Sequence, residues 1–303
     1  MIPFFDAHCD TLYRMHETGE GLRANKGHYD LDRVAVFSTR AQFFAVWARS
    51  FDTVYPIFAQ NAEVNADRMV PCTNATDARA AAESNRLAAF LSLEGGETVD
   101  CCPDRLEQAW QKGARMVSLT WNHDNVLAGG ATGDGRGLSE AGKRFLRRAV
   151  NLSMLVDVSH LAEASFWDLA DEMKGKPFIA SHSNAKAICP HRRNLNDEQF
   201  GAIVKAGGFV GINLYAAFLT SKGPAKWEHV WQHIEHFLSM GGEGHVGLGC
   251  DLDGCDDLPE GLRGVQDMGR LYNLLLRKNY HESLVRGIFY NNLLRVVELV
   301  CGM

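Results

Sequence analysis

A 303-residue chain with 46% hydrophobic content can bury one large core, and barrel folds of this length form a single domain. Its net charge is −6 (31 Lys and Arg against 37 Asp and Glu), without blocks of one sign, which argues against a nucleic-acid or anionic-membrane footprint. No run approaches the roughly 18 apolar residues that span a bilayer, and the start Met1-Ile2-Pro3-Phe4-Phe5-Asp6 lacks a secretory pattern, so a cytoplasmic location is expected. The eight cysteines form no C-x2-C pair and read as reduced, mostly buried thiols, Cys101-Cys102 included.

From the N-terminus, short apolar runs predict strands over Ile2–Cys9, Ala41–Trp47, Ala88–Leu93, Met116–Thr120, Leu152–Val158, Phe178–Ser181, Phe209–Leu214 and Val246–Cys250. Helical patterns lie between them at Pro103–Lys112, Glu140–Asn151, Ala162–Met173, Asp197–Ala206 and Lys226–Met240, and His281–Val300 predicts one more amphipathic helix. Eight strands separated by helices, with no linker or composition break, predict a single (β/α)8 TIM barrel over residues 1–303.

In such a barrel all strand ends on one side surround one pocket, so residues far apart in sequence meet there. Strand one ends Asp6-Ala7-His8-Cys9-Asp10. Side chains two apart share a face, so His8 and Asp10 can grip one metal, although a capped strand end with a stray histidine would look the same. Glu94, followed by two glycines, suits a bridging metal ligand or else a solvated loop. His160 and His182 each follow an apolar run. Either alone reads as hydrogen-bonded structure; the two together, with the earlier acid and histidine, point to a metal centre.

Asp251 closes the eighth strand, where an acid beside two metals can take a proton from water and return it to a leaving group. Asp251-Leu252-Asp253-Gly254 is no calcium loop, since Asp256 and Leu262 occupy the places of the sixth-position Gly and twelfth-position Glu. One of Arg192-Arg193 can clamp a carboxylate bidentately. The glycine-rich stretch Gly129–Gly137 lacks the Gly-Lys-Ser/Thr of a phosphate loop and reads as a mobile lid. His229, His233 and His236 share a helical face that reads as exterior.

Taken together these blocks resemble the membrane (renal) dipeptidase family of zinc metallopeptidases, within the amidohydrolase-type barrels. The resemblance runs in order through Asp6–Asp10, Leu93–Gly96, Asp157–His160, Ser181–Ala185, Arg192–Asn194, Gly249–Gly254 and Asn292–Val296. It implies two zinc ions: His8 and Asp10 on the first, His160 and His182 on the second, Glu94 bridging both. It further implies that a hydroxide between the metals attacks the peptide bond of a dipeptide, that Asp251 handles the proton, that Arg193 binds the C-terminal carboxylate, and that Tyr215 lines the pocket. Acceptance of a D-residue at the second position and a homodimer are also implied.

The sequence departs from the family after Leu119-Thr120, where renal-type members carry a histidine against the developing oxyanion and Trp121 stands here. His123, two residues on, is the candidate replacement; loss of such a donor costs about 10²–10³ in rate. Trp121 therefore keeps open a metal-dependent amidohydrolase acting on an N-acyl amino acid, a lactam or a cyclic amide. A non-catalytic binding protein is the more distant alternative.

Overall fold

The computed structural model describes residues 1–303. Nine strands form one all-parallel sheet: β1 (Pro3–Cys9), β2 (Thr39–Val46), β3 (Met69–Pro71), β4 (Leu87–Leu93), β5 (Ala114–Ser118), β6 (Leu155–Asp157), β7 (Ile179–Ala180), β8 (Phe209–Ile212) and β9 (Val246–Leu248). The sheet closes through β2–β4 and β1–β9 pairing, so eight strands make the barrel and β3 lies outside the ring. All eight predicted strands are present, several shorter than the apolar runs that announced them. β3 was not predicted: three residues ending in Pro71 carry too little pattern. It pairs with Leu87–Ala89 of β4, while β5 pairs with Leu91–Leu93 of the same strand.

Each crossover carries a helix over the outside of the sheet, including Phe51–Val64 and Ala75–Glu83; these two, and Gly269–Arg277 after β9, the sequence pattern left unassigned. Local chemistry sets several boundaries. Asn196 and Gln199 form a reciprocal capping box at the start of Asp197–Lys205, and Gly207 (φ 75) supplies the left-handed turn before β8. No helix is long and apolar enough to cross a membrane.

Inside the ring, Phe5, Phe43 and Phe90 stack with centroids 4.9–5.9 Å apart, and Tyr290 closes on Phe5 at 5.6 Å. The predicted C-terminal helix is broken into Glu282–Arg286, a π-turn at Gly287–Asn291, and Asn292–Cys301. The wide turn lets Asn292 donate to the Val246 carbonyl at 2.8 Å while Tyr290 and Leu293 plug the barrel floor. With the floor sealed, the open end of the barrel is the one at the strand C-termini.

Candidate metal centre at the strand ends

Strict alternation along β1 would place His8 on the face of Phe4, which packs on Phe37 in the outer layer, opposite to the inward Phe5. The β1–β2 register shifts between Asp6 and Cys9, and this bulge re-aims His8 into the barrel mouth. Asp6 braces the bend from within the wall: it accepts from the Cys250 amide at 2.7 Å and from Gln42 Nε2 at 3.0 Å. Burial pushes its carboxyl up to about 6 despite those hydrogen bonds.

The five residues expected as ligands converge. His8 Nε2 lies 3.4 Å from both Asp10 Oδ2 and Glu94 Oε2; His160 Nε2 lies 2.6 Å and His182 Nε2 3.7 Å from Glu94 Oε1. All five are nearly sealed from solvent. Burial opposes ionisation of Glu94, yet His8 and His160 hold it below the usual carboxylate range; burial likewise opposes protonation of His8, but Glu94 and Asp10 push it up. Burial, reinforced by His8, His160 and Arg193, drives His182 well down, so it is a neutral imidazole with a free lone pair.

Three buried atoms, His8 Nε2, Asp10 Oδ1 and Glu94 Oε2, have no hydrogen-bond partner, and the Nε2 atoms of His160 and His182 face each other at 2.8 Å. Unpaired buried acceptors beside imidazole lone pairs are costly without a cation, and this nitrogen and carboxylate-oxygen set fits divalent metal ions. His8, Glu94 and His182 form one group able to hold an ion; His8, Asp10 and Asp251 form another.

The candidate ligands are themselves oriented. Asn122 Oδ1 accepts from His160 Nδ1 at 3.0 Å. Ser181 Oγ sits 2.7 Å from His182 Nδ1 and donates to Asp157 Oδ2 at 2.5 Å. Asp157 Oδ1 also accepts from the Ser159 and Ser181 amides, so one carboxylate ties the ends of β6 and β7 together. Sequence reasoning missed Asn122, Asp157 and Ser181 as supports. Their only signal is a polar residue within three positions of a candidate histidine.

Asp251 stands at φ 59, a left-handed conformation that aims its carboxylate into the mouth. Its Oδ1 is 3.8 Å from His8 Nε2, and its Oδ2 accepts from Asn213 Nδ2 at 2.9 Å. Gly254 follows on the same loop, where an added Cβ would lie 2.2 Å from Asp10 Oδ2 and 2.4 Å from Asp251 Oδ1. Only a glycine leaves both carboxylates in place.

Arg193 is buried, its Nη2 3.1 Å from His160 Nε2 and its guanidinium 5.4 Å from the Phe218 ring. Burial pushes its pKa down to about 10 against the pull of Asp251 and Glu94, and Nη1 has no partner. It lines a cleft of about 430 Å³ with Asp10, Glu94, His160, His182, Asp251 and Tyr215. Arg192 is exposed and faces a different hollow. His123 is exposed at the rim, its Nδ1 3.1 Å from Thr132 Oγ1, and it lines an adjoining hollow rather than the cleft; Trp121 is the ring nearer His160, at 6.3 Å.

Two expectations need correcting. The Gly129–Gly137 stretch is packed down: the Ala131 amide donates to the His160 carbonyl at 2.8 Å, and the Gly130 and Asp134 amides donate to Asp124. Its glycines permit close approach to the 122–124 backbone, not the motion of a lid. His233 is fully buried, accepting from the Ala185 amide at 3.1 Å and lying 3.1 Å from the Leu219 carbonyl, so it fastens the segment after His182.

Comparison with known proteins gives a consistent result. Residues 1–301 match the family described as membrane dipeptidase, peptidase family M19. A Klebsiella pneumoniae protein described as an uncharacterized protein in the pqqA 5′ region is 34% identical over 247 residues, covering 78% of this chain and 90% of its own length. Among solved structures, dipeptidase AC, a metallopeptidase of family M19, has a TM-score of 0.92 at 28% identity, covering 100% of this chain and 99% of its own. A Rhodobacter sphaeroides metallopeptidase, liganded with a phosphinate mimic of the dipeptide L-Ala-D-Ala, has a TM-score of 0.90 at 27% identity, covering 99% of each chain.

Proposed function

This chain belongs to the membrane dipeptidase family and is a metallo-dipeptidase, and we propose that it hydrolyses dipeptides, including those with a C-terminal D-residue, with two zinc ions. In this reading His8 and Asp10 would hold one ion and His160 and His182 the other, and Glu94, which turns one oxygen toward each pair, would be shared between them. Bound in that set, the ions supply Lewis acidity toward a carbonyl oxygen and toward water.

The rest is done by the chain. Arg193 Nη1 binds the substrate carboxylate and places the scissile bond over Glu94. Asp251, with Oδ2 occupied by Asn213, keeps Oδ1 for the proton of the attacking water and returns it to the leaving amine. Tyr215 walls the second residue. The L-Ala-D-Ala mimic bound by the Rhodobacter relative supports acceptance of a D-residue at that position.

The observation that carries the dipeptide reading is Arg193: a buried guanidinium with an unpartnered nitrogen, in the same cleft as Asp10, Glu94, His160 and His182. The test compares a dipeptide with its C-terminal amide in wild type, Arg193→Met and Arg192→Met. Wild type should discriminate against the amide by about 2–5 kcal/mol, Arg193→Met should lose most of that preference, and Arg192→Met should keep it. Equal hydrolysis of acid and amide by wild type would remove carboxylate recognition from the mechanism.

A further inference from the structure

Beside the cleft, across Glu94, opens a second hollow of about 400 Å³. Trp47, Trp121 and Glu94 line both spaces, whereas Arg193, Tyr215 and Phe218 line only the cleft. The two indoles form one continuous wall, their centroids 5.3 Å apart and tilted 53°. Trp47 is seated on Tyr13 in an edge contact at 4.7 Å, and Trp121 lies against His123 at 5.4 Å, so each indole is braced by a further ring.

Several polar groups of this hollow are already engaged. Glu97 Oε1 accepts from Asn125 Nδ2 at 2.8 Å, Arg49 Nη2 pairs with Glu17 at 3.0 Å, and His123 Nδ1 meets Thr132 Oγ1. Apart from Glu94, which the dipeptidase reading gives to the metal ions, and the second oxygen of Glu97, the surface left to meet a substrate side chain is the aromatic wall. An apolar surface of this kind, next to a reaction centre and roomy enough for a large side chain, selects by contact area and ring geometry.

Resting on the dipeptidase reading, we infer that the Trp47–Trp121 wall, set across Glu94 from Arg193, is the binding site for the N-terminal side chain and makes this enzyme selective for dipeptides whose first residue is aromatic. With the substrate carboxylate on Arg193 and the scissile carbonyl over Glu94, the first residue has the hollow as its space. Trp121, where the family histidine is expected, thereby acts as a specificity residue.

The test measures kcat/KM of the zinc-loaded wild-type enzyme on Gly-Ala, Ala-Ala, Lys-Ala, Phe-Ala and Trp-Ala. Phe-Ala and Trp-Ala should exceed Gly-Ala by about tenfold or more, the discrimination a filled apolar pocket provides. Trp47→Ala should shrink the Phe-Ala to Gly-Ala ratio at least fivefold, and Trp47→Phe should restore most of it. Equal rates on Gly-Ala and Phe-Ala, or a preference for Lys-Ala, would overturn the inference while leaving the dipeptidase reading intact. Failure to cleave any of the five would overturn that reading itself. Because the wild-type panel decides alone, a variant that fails to fold does not leave the question open.

Discussion

Replacing Gly254 by alanine should damage the metal centre while sparing the fold. The new methyl would stand 2.2 Å from Asp10 Oδ2 and 2.4 Å from Asp251 Oδ1. Ordinary carbon–oxygen contact needs roughly 3.4 Å, so each carboxylate must retreat by about 1 Å, several times the ~0.2 Å tolerance of a metal–ligand distance. Affinity at the His8–Asp10–Asp251 end should fall by about 100-fold or more, since even the loss of a supporting residue costs 10–100-fold. Gly254 is exposed, outside any helix or strand, and does not need a left-handed φ, so the metal-free protein should lose no more than about 0.5 kcal/mol. Calorimetric titration of chelator-stripped protein with zinc reads the first quantity, and thermal unfolding without metal reads the second. The expected pattern is a drop from two tight equivalents toward one, at an unchanged metal-free melting temperature. Two equivalents at wild-type affinity would refute the assignment of Asp10 and its neighbours to an ion.

Three further outcomes follow from the same geometry. Asp157→Asn removes a charged acceptor of four hydrogen bonds and should destabilise the chain by about 2–4 kcal/mol and weaken zinc binding 10–100-fold, read by urea unfolding and metal titration. Asp251→Asn should lower kcat by about 10²–10⁴-fold with zinc still binding at saturating concentration; wild-type turnover would take Asp251 out of proton transfer. His233, pushed down to about 4 chiefly by burial, binds its proton more weakly folded than unfolded. Its contribution is therefore complete above pH 6.5 and lost as pH falls toward 4, roughly 3 kcal/mol in all, so metal-free His233→Gln should show a flatter stability profile across that window.

What the sequence made legible was the periodic part of the molecule. Strands announced by three or more apolar residues could be placed, and His8, Glu94, His160, His182 and Asp251 stood out because each ends or follows one. β3 escaped because Met69-Val70-Pro71 is held by pairing with β4, a long-range term with no local signature. The bulge that turns His8 inward is equally silent, and simple alternation reached the right residue while omitting the device that aims it. Glycine-rich composition suggested motion at 129–137, whereas those glycines serve close packing. Trp47 could not be tied to Trp121 from sequence, since their meeting depends on two different strand-to-helix connections.

The pairing of β4 and the Asp157 tie between β6 and β7 leave the metal site unequally tolerant of mutation. Glu94 rides on a strand laddered along its whole length to β2 and, half by half, to β3 and β5, so its position is shared among many backbone hydrogen bonds that no side-chain replacement removes. His160 and His182 ride on strands of three and two residues whose ends are joined through one carboxylate and two serine hydroxyls. Drift can therefore reshape the histidine side with single substitutions at Asp157, Ser159 or Ser181, while the Glu94 side stays fixed. Laboratory evolution toward another metal or a differently shaped substrate should accumulate its first changes there, around the ends of β6 and β7.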